Sequence, residues 1–202
     1  MNYKFINDFE KNEFLGRESL KELKILNPTI FKYDINYTDY QYELYDAFFN
    51  IMDGTKIKKT IFIEIKYRYS SYDTYMLEKK KVSDLNDLIK KNLYLKEGEY
   101  SIFYLNFCPE GTYLWDITDI KPEDCTDKLY ANKYTVLSRV DKKNKLCKLI
   151  RIEDAKFFDY RLNENRLLKN NYMKSYIVPK VEKKIEKNGL DWILFGEGDK
   201  DN

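Results

Sequence analysis

The sequence predicts an α+β fold, of mixed α/β character, with a central mixed sheet flanked by helices. Three observations predict it. Two stretches, about 8–25 and 75–92, carry apolar residues at helical spacing. Short runs rich in β-branched and aromatic residues recur at 29–36, 40–51, 59–69, 100–108 and 112–118. The strands come in blocks around one internal helix rather than in a repeating strand–helix alternation.

The first helix has Phe9, Phe14, Leu15, Leu20 and Leu23 on its apolar side, and Asn27-Pro28 stops it. TIFKYDIN (29–36) reads as a short strand and YQYELYDAFFNI (40–51) as a longer one. Asp53-Gly54 is a strong hairpin turn. It leads into KTIFIEIKYRY (59–69), the clearest strand in the chain. After Ser70-Ser71 comes the charged helix, striped by Leu77, Val82, Leu85, Leu88 and Ile89. Glu97-Gly98 and Pro109-Glu110-Gly111 then turn the chain into the next two strands. The order through residue 118 is helix, three strands, helix, two strands.

The rest is less patterned. Residues 133–152 give one or two strands, residues 153–168 fit no single element, and 176–194 suggests a helix after Pro179. The expected organisation is a core over 1–120, an extension over 121–195 packed on it in the same domain, and a flexible tail over 196–202.

Composition bounds the chemistry. A chain of 202 residues with 43% apolar content is long enough to bury one good core. The net charge of +2 gives no overall basic footprint, so nucleic-acid contacts would have to be local. There is no histidine, which excludes His triads, His bases and His metal ligands. Cys108, Cys125 and Cys147 have no zinc-site spacing and read as reduced thiols of a cytoplasmic protein. The first ten residues have no apolar segment of signal-peptide type, and no run is long enough to span a bilayer.

The chemistry concentrates in the clearest strand. Side chains alternate along a strand, so Ile61, Ile63 and Ile65 share one face and Phe62, Glu64, Lys66 and Arg68 the other. Charges amid such apolar neighbours are expensive unless partnered. Asp46 lies in an equally apolar stretch, Leu44 to Phe49, which the hairpin folds back beside Glu64. Two carboxylates from adjacent strands suit Mg²⁺ or Mn²⁺, which activates water and neutralises charge on a scissile phosphate. Lys66, one pleat repeat from Glu64, is placed to stabilise the attacking hydroxide or to help deprotonate water, its pKa depressed by burial and a neighbouring cation.

Spacing alone carries little. Acidic residues also stand two before lysine at Glu22/Lys24, Glu78/Lys80, Asp119/Lys121, Asp154/Lys156 and Glu182/Lys184. A salt-bridged strand face explains such pairs equally well. Asp34 or Asp39 would replace Asp46 in a shifted register.

Asp46, Glu64-Ile65-Lys66 and the order of elements around them resemble the PD-(D/E)XK nuclease superfamily. The stretches Tyr45-Asp46-Ala47-Phe48, Phe62 to Arg68 and Leu77 to Lys81 look like its small phage- and bacterium-encoded members. The likeness covers about residues 8–118, and Tyr45 stands where the family's name has proline.

The resemblance implies a restriction-endonuclease-like αβββαβ core with C-terminal additions. It implies a Mg²⁺- or Mn²⁺-dependent nuclease on DNA, in replication, recombination, repair or phage DNA processing. It implies a further metal ligand from the first helix, Glu18, with Glu13 and Glu22 as rivals. It implies a basic residue on the second helix facing the site, Lys81 and then Lys79, which with Arg68 would contact phosphates. Tyr67, Tyr69, Tyr72 and Tyr75 would stack on unpaired bases or serve as ordinary core and surface residues. The alternative is an inactive nuclease-like component of a phage or mobile-element assembly that binds nucleic acid or protein. The C-terminal third would complete the fold, form a homodimer or select substrate. A phage-encoded member would work in the host cytoplasm.

Overall fold

A computed structural model of the chain describes residues 8–38, 44–93, 95–132 and 142–161, with Glu164 and Leu167. Helix α1 spans Asp8–Leu26. Its apolar stripe buries Leu15, Leu20 and Leu23 completely, and Asn27 closes it, its side-chain amide donating to the Leu23 carbonyl at 3.2 Å. The strand expected over 29–36 is only Asn36–Tyr37, β1. The reason is local. The Asn27 carbonyl accepts the N–H groups of both Ile30 and Phe31 at 3.1 Å, taking donors that a ladder would need. That turn drops Phe31 into the core.

Strand β2, Ala47–Asp53, and strand β3, Lys56–Tyr67, form the expected hairpin. Gly54 turns it at φ +60°, a left-handed conformation that glycine adopts without strain. Register runs from Asp53↔Lys56 to Ala47↔Ile63, with a bulge between Ile51 and Met52.

The helix expected over 75–92 begins later. Thr74–Glu78 is a strand, β4, and helix α2 is Lys79–Asp87, continued by a π-turn over Leu88–Asn92. In β4, Tyr75 and Leu77 are buried and the residues between and around them are not, a period of two.

Strand β5, Tyr100–Phe107, runs parallel to β3, and β6, Thr112–Asp116, returns antiparallel to it. Strands β7, Asp127–Asn132, β8, Lys142–Arg151, and β9, Lys156–Phe158, follow. The main sheet has the order β1-β2-β3-β5-β6-β9, and a second sheet the order β4-β8-β7. The fold is α+β, with a mixed main sheet and helices α1 and α2 among the described residues. Residues beyond 120 join both sheets, β9 at the edge of the main one and β8 beside β4. The expected strand over 134–140, helix over 176–194 and tail over 196–202 lie outside the described residues. No helix among the described residues is long and apolar enough to cross a membrane.

Strand β3 lies inside the main sheet and is covered on both faces. One face carries Ile61, Ile63 and Ile65 against Leu20 and Leu23 of α1. The other packs Phe62 with Val82, Leu85 and Ile89 of the α2 segment. A Cβ on Gly16 would lie 2.8 Å from Ile65 Cγ2, so α1 rides closely on β3. Gly16→Ala is expected to destabilise the protein by about 1 kcal/mol, because the crowding outweighs the gain in helix propensity. A urea melt checks it.

Candidate active site

The site lies where β2 begins and β3 nears its end. Asp46 stands just before β2. Its backbone N–H donates to the Ile63 carbonyl at 2.9 Å, and its Oδ2 accepts the Ile65 N–H at 2.6 Å. The carboxylate thus takes a ladder position beside Glu64. Thr38 holds the other side: its N–H donates to the Asp46 carbonyl at 3.1 Å and its hydroxyl to the Tyr45 carbonyl at 3.1 Å. Tyr45 packs edge-on against Phe62, centroids 4.9 Å apart. Asp34, the upstream rival, pairs instead with Lys24 at 3.1 Å, and Asp39 lies outside the described residues.

Glu64 has only 3% of its side chain exposed, because α2 covers the face opposite the isoleucines. It is ion-paired twice. Lys66, two residues on along the same face, meets Oε1. Lys81 of α2 reaches Oε2 at 2.7 Å.

These contacts set the charges. Burial opposes ionisation of Glu64, but Lys66 and Lys81 outweigh it and hold the carboxyl below its ordinary 4.5. Asp46 goes the other way. Burial first, then the Glu64 charge, push it from 3.8 to about 6, against the pull of Lys66 and the Ile65 N–H. Burial would lower the Lys66 pKa, but Glu64 and then Asp46 outweigh it and raise it above 10.5. The depressed lysine was expected beside a bound cation; with the two carboxylates alone as its neighbours, Lys66 is raised instead.

Among the helix glutamates, Glu13 feels the charges of this group. Burial raises its pKa, Arg17 opposes, and Asp46, Lys66 and Glu64 all act on it. Glu18 instead pairs with Lys21 one turn on, and Glu22 accepts the Tyr160 hydroxyl at 2.7 Å. Gly16 explains the choice. It marks the face of α1 that meets Ile65, and Glu13, three residues earlier, shares that face. Glu18 lies two residues after Gly16, on the far side.

The lysine run divides. Lys81 meets Glu64, Lys80 pairs with Asp84, and Lys79 sits near enough to Cys125 to act on its thiol. Arg68 is fixed to β5: its Nε donates to Asn106 Oδ1 and its Nη2 to the Tyr104 hydroxyl, both at 3.2 Å. Asn106 is fully buried and its Nδ2 has no partner among the described residues. Register sets Tyr104 beside Glu64 and Asn106 beside Lys66. Sequence reading passed over Asn106, although a lone amide in YSIFYLNFC is the signal that selected Asp46.

No protein-family model and no curated protein matches the chain.

Tyr67 and Tyr69 stack edge-on at 5.2 Å, and Tyr72 and Tyr75 at 5.9 Å. Tyr69 and Tyr72 are 54% and 57% exposed and present ring surface to solvent. Tyr75 is buried with its hydroxyl 3.1 Å from Cys108 Sγ. The three cysteines are free and buried.

Among the described residues, no three carboxylate or thiol side chains converge as a metal cage. Mg²⁺ does not require one: it binds through one or two carboxylates and completes its shell with water and phosphate oxygens. Asp46 and Glu64 suit that demand. Glu64 Oε2 is buried and faces a lysine ammonium, with no backbone donor on it among the described residues. The Asp46 charge is resisted by burial and by Glu64, a conflict that a divalent cation relieves.

Proposed function

We propose that this protein is a Mg²⁺- or Mn²⁺-dependent nuclease of the PD-(D/E)XK type, hydrolysing phosphodiester bonds of DNA. The observation that carries the reading is the Asp46–Glu64–Lys66 group at the carboxyl end of β3, with Asp46 tied to the Ile65 N–H at 2.6 Å. What supports it is the order of a helix, an antiparallel meander ending in β3, a helix and a strand parallel to β3. Strand β4 departs from it, inserted before α2 and paired into the second sheet.

Asp46 and Glu64 would hold the cation, with Glu13 rather than Glu18 as the helix carboxylate nearest in charge. The bound cation supplies Lewis-acid charge to the scissile phosphate and an acidified water. Lys66 would stabilise the negative charge that grows on phosphate and nucleophile. Arg68, held by Asn106 and Tyr104, presents its remaining donors to a neighbouring phosphate.

The double pairing of Glu64 favours a second reading, an inactive nuclease-like protein that binds nucleic acid or another protein. One set of measurements separates the two. The nuclease reading expects Mn²⁺ binding that Glu64→Ala abolishes, with cleavage of duplex, single-stranded or branched DNA. Activity that survives both Glu64→Ala and Lys66→Ala refutes the site. Absence of Mn²⁺ binding favours the second reading.

A further inference from the structure

Glu64 carries one negative charge and faces two ammonium groups. The two are not equivalent. Lys66 lies on β3 one pleat repeat from Glu64 and acts on Asp46 more strongly than Lys81 does. Lys81 reaches in from the first turn of α2 on a flexible four-carbon stem, and its side chain remains 26% exposed. Its ammonium meets Oε2 at 2.7 Å from a separate element. A cation on that oxygen would meet Lys81 as a like charge within a few ångström, a strong repulsion in a site screened from water.

We propose that Lys81 is a displaceable countercharge. It neutralises Glu64 when no divalent cation is bound, and it moves onto a substrate phosphate when one binds. This deepens the nuclease reading and rests on it. Lys81 is the group that can make the move, since Lys80 is paired to Asp84 and Lys79 lies toward Cys125. The move couples two ligands. Cation binding releases Lys81 for phosphate, and phosphate draws Lys81 away from Glu64. Linkage then requires DNA to tighten cation binding by the same factor as the cation tightens DNA binding.

The test is a calorimetric Mn²⁺ titration at fixed pH, alone and with a short phosphorothioate-linked duplex. Wild-type protein is expected to bind Mn²⁺ about 10-fold more tightly with the duplex present. Lys81→Gln should bind Mn²⁺ about 10-fold more tightly than wild type without DNA, and the duplex should then add almost nothing. Lys80→Gln, the same charge change one residue away, should leave Mn²⁺ affinity as it was. Lys81→Arg keeps a cation with a better fork for the carboxylate and should weaken Mn²⁺ binding, which tests the idea even if Lys81→Gln does not fold. Unchanged or weaker Mn²⁺ affinity in Lys81→Gln, or no weakening in Lys81→Arg, overturns the proposal while leaving the nuclease reading standing. Tighter Mn²⁺ binding without any DNA cleavage supports the countercharge and defeats the nuclease reading.

Discussion

Lys66→Met is expected to abolish cleavage and to destabilise the protein by about 2 kcal/mol. Glu64 is 3% exposed, so a charge there needs compensation. Breaking one side of a buried pair costs about 3–5 kcal/mol. Two features reduce that figure. The Lys66 side chain is 38% exposed, and Lys81 stays on Oε2, so screening and residual pairing bring it down to about 2 kcal/mol. The deficit has a pH signature. The lysines hold Glu64 below its ordinary 4.5, so their contribution is present above that value and fades as falling pH protonates the carboxyl. Denaturant melts at pH 7.5 and pH 4 should therefore show a smaller difference in acid. Adding Glu64→Gln to Lys66→Met should restore most of the lost stability, because the buried Glu64 charge is gone. Activity should not return. Removing a fixed positive charge from the reacting phosphate slows hydrolysis about a hundred- to a thousand-fold. A double variant as unstable as Lys66→Met would place the instability in lost packing instead.

What could be read from the sequence depended on how far each element's partner lies along the chain. The β2–β3 hairpin was legible because all its determinants are local: Gly54 at the turn and apolar alternation on either side. Strand β4 was hidden inside a helical pattern because its partner is β8, with Thr74 facing Arg151. The short β1 was overestimated because one carbonyl, that of Asn27, captured two of the N–H groups in the run. The site follows the same logic. Asp46, Glu64 and Lys66 stood out as charged residues embedded in apolar strands, and the hairpin register joins them. Glu13 was placed behind Glu18 because the rotation of α1 depends on the Gly16–Ile65 contact, between residues on different elements. The raised Lys66 pKa was not legible for a similar reason. Burial was legible, but two carboxylates acting together on one ammonium were not.

Asp46→Asn is expected to stabilise the metal-free protein while removing its cation binding. The carboxyl of Asp46 titrates near 6 in the fold and at an ordinary 3.8 in the open chain. The folded state therefore holds the proton more tightly, and ionisation works against folding. The penalty is absent below about 3.8, grows as pH rises toward 6 and is complete above 6. At 1.36 kcal/mol per pKa unit it amounts to roughly 3 kcal/mol, and partial exposure of Asp46 reduces this to about 2 kcal/mol. Asparagine keeps an oxygen to accept the Ile65 N–H, so the backbone tie survives and only the charge goes. Thermal melts at pH 8 should thus favour Asp46→Asn, and the advantage should vanish near pH 3.5. Mn²⁺ should reverse the order at pH 8, raising the melting temperature of wild type and leaving Asp46→Asn unmoved. A residue that lowers stability without metal and raises it with metal is arranged for a ligand. A salt-bridged strand face predicts the opposite, a loss of stability in Asp46→Asn at pH 8 and no response to Mn²⁺ in either protein.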